Sequence, residues 1–142
     1  MSAFGLKSID QTLHLTHLWL NELLERTGWS DRQRVYRLLR VTLQATRDHL
    51  PVNEAVDLGA QLPLLIRGIY YEGWHPAGTP VKTRSRDEFL GHIQQAFKTD
   101  PMDDAEEAVG AVFALLSDRI TDGEMADVRH ALPKQIRELF PS

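Results

Sequence analysis

The chain contains 142 residues, of which 42% are hydrophobic and 25% charged, a composition typical of a single globular domain. It contains no cysteine, so disulfide scaffolds, thiolate metal sites and cysteine nucleophiles are excluded. The net charge of −4 argues against binding nucleic acid over the whole surface, and no apolar run reaches the ~20 residues that span a bilayer. Residues 1–7 lack the basic and apolar regions of a signal peptide, so we expect a cytoplasmic protein that does not enter a membrane.

Helix-start signals recur along the chain. Capping boxes occur at residues 8–11, 30–33, 85–88 and 121–124. Asp100 followed by Pro101 gives a fifth start, with an acidic N-cap before a proline at the first helical position. Apolar residues at steps of three and four follow these starts, whereas no long stretch alternates with a period of two. The pattern predicts a compact all-α domain, a bundle of about six helices.

The chain resembles itself when it is shifted by 70 residues without a gap. The Leu-Pro pair at residues 62–63 then aligns with residues 132–133, and the Ile-Arg pair at residues 66–67 aligns with residues 136–137. Proline removes a helical hydrogen bond and crowds the preceding turn. We therefore expect the helix that contains each Leu-Pro pair to bend or restart there.

This internal repeat predicts two similar three-helix halves related by a pseudo-two-fold axis. The halves span about residues 8–72 and 85–140, and the Gly- and Pro-rich residues 73–84 join them within one domain, 1–142. The apolar stripes of the two halves are expected to be buried against each other, so that neither half alone has a complete core.

The second predicted helix carries a basic face in a chain of uneven charge. Residues 1–71 hold eight basic and seven acidic residues, and residues 72–142 hold eight and thirteen. The face follows a spacing of four and three and consists of Gln33, Arg37, Arg40, Gln44 and Arg47. It is either solvated or in contact with an acidic surface, namely the acidic residues within 103–107 or a protein partner. Nucleic acid is the remaining alternative, which the net charge opposes.

A second group of residues surrounds the predicted end of a helix near residue 72. It consists of Arg67, Tyr70, Tyr71, Glu72, Trp74 and His75. Aromatic groups with polar tips beside charges could line a small-molecule pocket, in which Arg67 would bind a carboxylate or phosphate. In the structural alternative, Tyr70 and Trp74 close the core, and Arg67 pairs with an acid such as Glu72.

No recognised catalytic or cofactor motif accompanies these residues. Glu72 and His75 have the spacing of an acid–base pair, and His14 and His17 that of a metal-binding pair, but such pairs alone specify neither catalysis nor a metal. We therefore expect no cofactor and no metal, and a non-enzymatic interaction or adaptor module that uses the basic face. A small-ligand or enzymatic site is the alternative, and a homodimer fits either function.

One segment resembles a known family. Residues 58–74 read Leu-Gly-Ala-Gln-Leu-Pro-Leu-Leu-Ile-Arg-Gly-Ile-Tyr-Tyr-Glu-Gly-Trp, and this run is similar to the bacterial family catalogued as domain of unknown function 2267. Residues 47–51 (Arg-Asp-His-Leu-Pro), the region of Trp29, and Thr16 with the Trp-Leu pair that follows it are similar as well. The resemblance covers most of the chain and implies a small all-helical bacterial protein. It implies no activity, cofactor or catalytic residue.

Overall fold

The protein is helical in the part of the chain that the structure, a computed structural model, describes, which is residues 6–141. The α-helices are α1 (Lys7–Thr27), α2 (Arg32–Asp48), α3 (Val52–Ala60), α4 (Leu64–Tyr71), α5 (Arg86–Gln95), α6 (Ala105–Arg119), α7 (Asp122–Ala131) and α8 (Lys134–Arg137). A short 3₁₀-helix covers Pro76–Gly78, and residues 6–141 contain no strand. The all-α prediction is confirmed, but the predicted number of about six helices was wrong. None of the described helices is long and apolar enough to cross a membrane.

Two Leu-Pro pairs account for the additional helices. Pro63 has a φ of −58° and a ψ of 151°, which ends the helical path between α3 and α4. Pro133, with a φ of −55° and a ψ of 147°, separates α7 from α8 in the same way. Because proline also disfavours the helical region for the residue before it, the chain leaves the helical path at each Leu-Pro pair. Each predicted third helix is therefore two helices.

The predicted helix starts are confirmed in part. Ser85 and Thr121 cap α5 and α7, and each hydroxyl accepts a hydrogen bond from the backbone N–H three residues later. Helix α2 starts one residue later than its capping box predicts, with Asp31 as the N-cap. The predicted start at Asp100 was wrong: its carboxylate pairs with Arg34 of α2, and α6 begins after the N-cap Asp104.

Helices α2 and α6 lie at the centre of the fold. Helix α2 packs against α1, α4, α5 and α6, and α6 also packs against α1, α5 and α7. Their inward faces belong to one buried apolar cluster, whose largest fully buried side chains include Tyr70, Phe89, Phe97 and Phe113. Full burial of such a side chain contributes ~1.5–3 kcal/mol. One core therefore holds together helices from both ends of the chain.

Helix positions agree with the 70-residue shift in the later part of each proposed half. Helices α3 and α7 begin at Val52 and Asp122, and α4 and α8 begin at Leu64 and Lys134. The first helices differ, since α1 has 21 residues and α5 has 10. The two-half symmetry therefore stays a prediction.

The connection between α4 and α5 is attached to the end of α2. It contains the 3₁₀-helix and a cis peptide bond between Thr79 and Pro80. The backbone N–H of Val81 donates to the carbonyl of Asp48 at 2.8 Å. This contact places the connection beside the α2–α3 turn, where it forms part of the wall of three clefts.

Candidate functional site

The basic face of α2 has an exposed part near the start of the helix. Gln33 is exposed, and Arg37 and Arg40 are half-buried. The guanidinium of Arg37 lies 5.2 Å from the ring centroid of Phe97, and that of Arg40 lies 5.9 Å from the ring centroid of Tyr36. Neither arginine makes an ion pair within residues 6–141. Aromatic rings and solvent are therefore the surroundings of these two charges.

The last two residues of the same face bind the end of α4. Arg47 is only 4% exposed, and its Nη1 donates to the carbonyls of Tyr70 at 2.7 Å and Glu72 at 2.9 Å. Gln44 donates from its side-chain amide to the carbonyl of Ile69 at 2.9 Å. The last carbonyls of a helix lack partners within the helix, and a cation there also favours the helix dipole. These two side chains therefore complete the C-terminus of α4.

Arg67 and Tyr70 join α4 to α3. Arg67 donates from Nε to the carbonyl of Gly59 and from Nη2 to the carbonyl of Leu62, both at 2.9 Å. It binds these carbonyls and makes no ion pair with Glu72. Tyr70 is fully buried, and its hydroxyl donates to the carbonyl of Ala55 at 2.7 Å. Burial raises the pKa of Tyr70 far above its ordinary value, so the group remains a neutral phenol.

Tyr71 and Trp74 form a stacked pair against α3. Their ring centroids are 5.5 Å apart with an interplanar angle of 29°. The hydroxyl of Tyr71 donates to the carbonyl of Val56 at 3.4 Å. The Tyr71 side chain also lies directly over Gly59, where a Cβ atom would overlap with its hydroxyl. Burial raises the pKa of Tyr71 above its ordinary value.

Glu72 and His75 are exposed and line different clefts. Glu72 lies at a cleft between α1 and α4, whereas His75 lies at a cleft that Asp48 and Thr79 also line. The structure thus packs Tyr70, Tyr71 and Trp74 together, whereas Glu72 and His75 form no ion pair within residues 6–141. His14 and His17 of α1 are also exposed, and the Nδ1 of His17 lies 3.1 Å from a guanidinium nitrogen of Arg32.

An exposed apolar cleft of about 440 Å³ lies between α1 and α4. Its walls include Ile9 and Leu13 of α1 and Leu64 and Leu65 of α4, whose exposed fractions range from 37% to 57%. Sequence reasoning missed this surface because Ile9 and Leu13 continue the core-facing stripe of α1. The available signal was the run Leu64-Leu65-Ile66, since three successive apolar residues spread around more of a helix than one core-facing stripe covers.

Three carboxylates meet where α3 packs against α7. Glu54, Asp57 and Glu124 each place an oxygen atom within 4.8 Å of the others. Burial, a hydrogen bond with Glu54 and repulsion by neighbouring acids raise the pKa of Glu124 to about 8. A shared proton therefore relieves the repulsion at neutral pH. Within residues 6–141, these three carboxylates lie close enough together to share one cation, and their mutual repulsion is one reason why the pKa of Glu124 is raised.

The helices and these exposed features define a small all-helical domain with a basic helix face, an apolar cleft and an acidic cluster. The chain belongs to the family described as an uncharacterized conserved protein (DUF2267), whose family model matches residues 16–139. The resemblance seen in the sequence is thus confirmed over most of the chain. No curated protein matches the chain.

Proposed function

We propose that the protein is a non-enzymatic interaction module that binds an acidic surface of a partner protein through the exposed part of α2. The proposal rests on Arg37 and Arg40. Neither makes an ion pair within residues 6–141, although the chain has a net charge of −4. Complementary charge increases association rates and selects partners. Gln33 and Tyr36 extend this surface with a hydrogen-bonding group and an exposed aromatic ring.

The acidic residues of the same chain do not compensate these two arginines. The ion pairs of the acidic half use other cations: Arg26 pairs with Asp118, Arg34 with Asp100, and Arg86 with Glu106. An intramolecular partner for the exposed basic face is therefore absent among residues 6–141, which favours an external acidic partner.

Charge reversal tests this function directly. We expect Arg37→Glu with Arg40→Glu to keep the fold, because both side chains are partly solvated, and to abolish salt-sensitive capture of the partner. The matched control is Lys82→Glu with Lys98→Glu, which changes the net charge equally at two other exposed positions. Circular dichroism checks folding, and quantitative crosslinking compares captured proteins. An identical set of partners for both double variants contradicts the proposal.

A homodimer through the α1–α4 cleft is a second candidate, which the contiguous exposed leucines favour. Apolar surface of this kind on a small domain is typical of a protein contact, and a two-fold dimer covers it with the same surface of a second copy. We expect Leu64→Asp to shift the sedimentation coefficient from dimer to monomer. Val56→Asp on α3 is the control, since Val56 is 45% exposed and lies outside the cleft. A wild-type protein that stays monomeric at high concentration excludes this dimer.

A further inference from the structure

A basic cleft opens where the α2–α3 turn, the connection before α5 and the α7–α8 turn meet. Its volume is about 330 Å³, which is within the range of small-molecule sites. The groups that can carry positive charge in its lining are Arg84, His130, Lys134 and Arg137, and the buried His49 lines it as well. The remaining lining residues are apolar, so no carboxylate lines the cleft.

This concentration of positive charge lies mostly in the acidic part of the chain. Residues 72–142 hold thirteen acidic and eight basic residues, yet Arg84, Lys134 and Arg137 make no ion pair with the described residues. Three cations that surround a concave site without an acid attract a multiply charged anion. A phosphate group carries −1.5 to −2 charges at neutral pH, and therefore matches them better than a single carboxylate does.

Arg137 is held rigidly in the wall of the cleft. Its Nη2 donates to the carbonyls of His130 at 3.3 Å and Leu132 at 3.1 Å, whereas its Nε is buried without a partner in residues 6–141. Arg67, at the aligned position 70 residues earlier, has its Nε bonded to a carbonyl. Of these two arginines, Arg137 thus presents a fixed charge whose hydrogen-bonding capacity is incompletely used.

His49 lines the same cleft with a buried, incompletely hydrogen-bonded ring. It is 6% exposed, its Nδ1–H donates to the carbonyl of Ala45 at 2.7 Å, and its Nε2 is buried without a partner in the described chain. Burial lowers the pKa of His49, so the neutral imidazole offers a lone pair at Nε2. His49 also lines a smaller cavity with Glu88 and His92, and it separates that cavity from the basic cleft.

Two basic residues of the cleft have no basic counterpart at the aligned positions of the internal repeat. The positions 70 residues before His130 and Lys134 are occupied by Ala60 and Leu64. Arg67 binds the carbonyls of the α3–α4 turn as Arg137 binds those of the α7–α8 turn, so this kind of turn can form without these cations. The basic residues are therefore not a requirement of the local fold.

We propose that this cleft binds a small phosphate monoester. The phosphate lies among Arg84, Lys134 and Arg137, and a hydroxyl of the same molecule donates to Nε2 of His49. This site shares no residue with the exposed basic face of α2, so the two proposals stand independently.

Three matched probes test the site: glycerol 3-phosphate, glycerate and glycerol, added at constant ionic strength to the ¹⁵N-labelled full chain. We expect glycerol 3-phosphate to cause saturable shifts of the backbone amides that line the cleft. Glycerate should bind more weakly, and glycerol should cause no shift. Inorganic phosphate should compete, because it presents the same charged group.

The variant His130→Ala with Lys134→Leu copies the residues found at the aligned positions. It should fold and should lose affinity at least about tenfold, the effect of removing a charge-assisted bond. The control His14→Ala with Lys98→Leu removes the same residue types elsewhere and should bind as the wild type does. Three outcomes overturn the proposal: no saturable shift into the millimolar range, equal affinity for glycerate, or the same loss in both double variants.

Discussion

Arg47 places a positive charge inside the protein, where it binds the last carbonyls of α4 and the carboxylate of Asp48. A buried charge is costly unless hydrogen bonds surround it, and three such bonds surround this guanidinium. The interaction fixes the end of α4 against α2. It also fixes the start of the connection that follows, since Glu72 is one of the two residues whose carbonyls it binds.

Removing this side chain should therefore destabilise the fold strongly. We expect Arg47→Ala to lower the free energy of unfolding by about 3–5 kcal/mol, because it leaves buried carbonyls without donors and an acid without its partner. Arg40→Ala on the same face should change it by less than about 0.5 kcal/mol. Urea unfolding measures both values. Similar losses for the two variants would contradict the division of the face into exposed and internal parts.

The residues of this face show what helical periodicity in a sequence can predict and what it cannot. The spacing of Gln33, Arg37 and Arg40 correctly predicts that they share a side of α2, and the same spacing includes Gln44 and Arg47. Periodicity specifies the side of a helix, but it does not specify which other element covers that side further along. Helix α4 covers only the end of α2, so a continuous face in the sequence has two different roles in the molecule.

A proton on Glu124 contributes to the contact between α3 and α7. Glu124 has a pKa of about 8 in the folded protein, because it is partly buried and hydrogen-bonded to Glu54. The ordinary value for the unfolded chain is 4.5. The folded state therefore holds a proton that the unfolded state releases. This contribution to stability is fully present below 4.5 and is lost as the pH rises through about 8.

We expect Glu124→Gln to remove this pH dependence, since glutamine resembles the protonated acid. The variant should gain stability over the wild type on the order of 1 kcal/mol at about pH 9 and much less at about pH 5. Urea midpoints across this range provide the measurement. Glu25→Gln, at an exposed position of α1, serves as the control and should keep the wild-type profile. A parallel profile for Glu124→Gln and wild type would refute the shared proton.

The helices were largely predictable from the sequence, but the positions at which two of them are interrupted were less so. Serine or threonine N-caps, followed by apolar residues spaced three and four apart, correctly predict the starts of α5 and α7. The Leu-Pro pairs mark where two helices are interrupted, but the sequence alone does not distinguish a kink from two helices, because that depends on how the following segment packs. In the same way, Ile9 and Leu13 have the spacing of core residues, yet they are 42% and 37% exposed at the cleft between α1 and α4.

At the scale of the molecule, the core is shared between the two ends of the chain. Helix α1 packs against α6, and α2 packs against both α5 and α6, so the first four helices lack a large part of their apolar contacts when alone. The fragment of residues 1–72 should therefore show no cooperative thermal unfolding, unlike the full chain. Circular dichroism and amide dispersion in NMR spectra check this expectation. A cooperatively folded fragment would mean that the first half has a sufficient core of its own.

The basic cleft is a property of the whole molecule that sequence reasoning could not detect. Its lining residues come from around positions 49, 84 and 130–137, and none of these short segments has an unusual charge pattern. The hydrogen bond from Val81 to the end of α2, the packing of α3 on α7 and the contact of α5 with α8 bring them together. Sites on discontinuous segments depend on tertiary contacts, whereas the face of α2 depends on a single helix.

The position of Tyr71 over Gly59 links two residues that belong to different helices. Any side chain at position 59 would displace the Tyr71 ring and with it the stacked Trp74. A smaller residue at position 71 would remove that obstacle. The two positions are therefore coupled: we expect alanine at position 59 to cost less stability when the residue at position 71 is smaller than tyrosine.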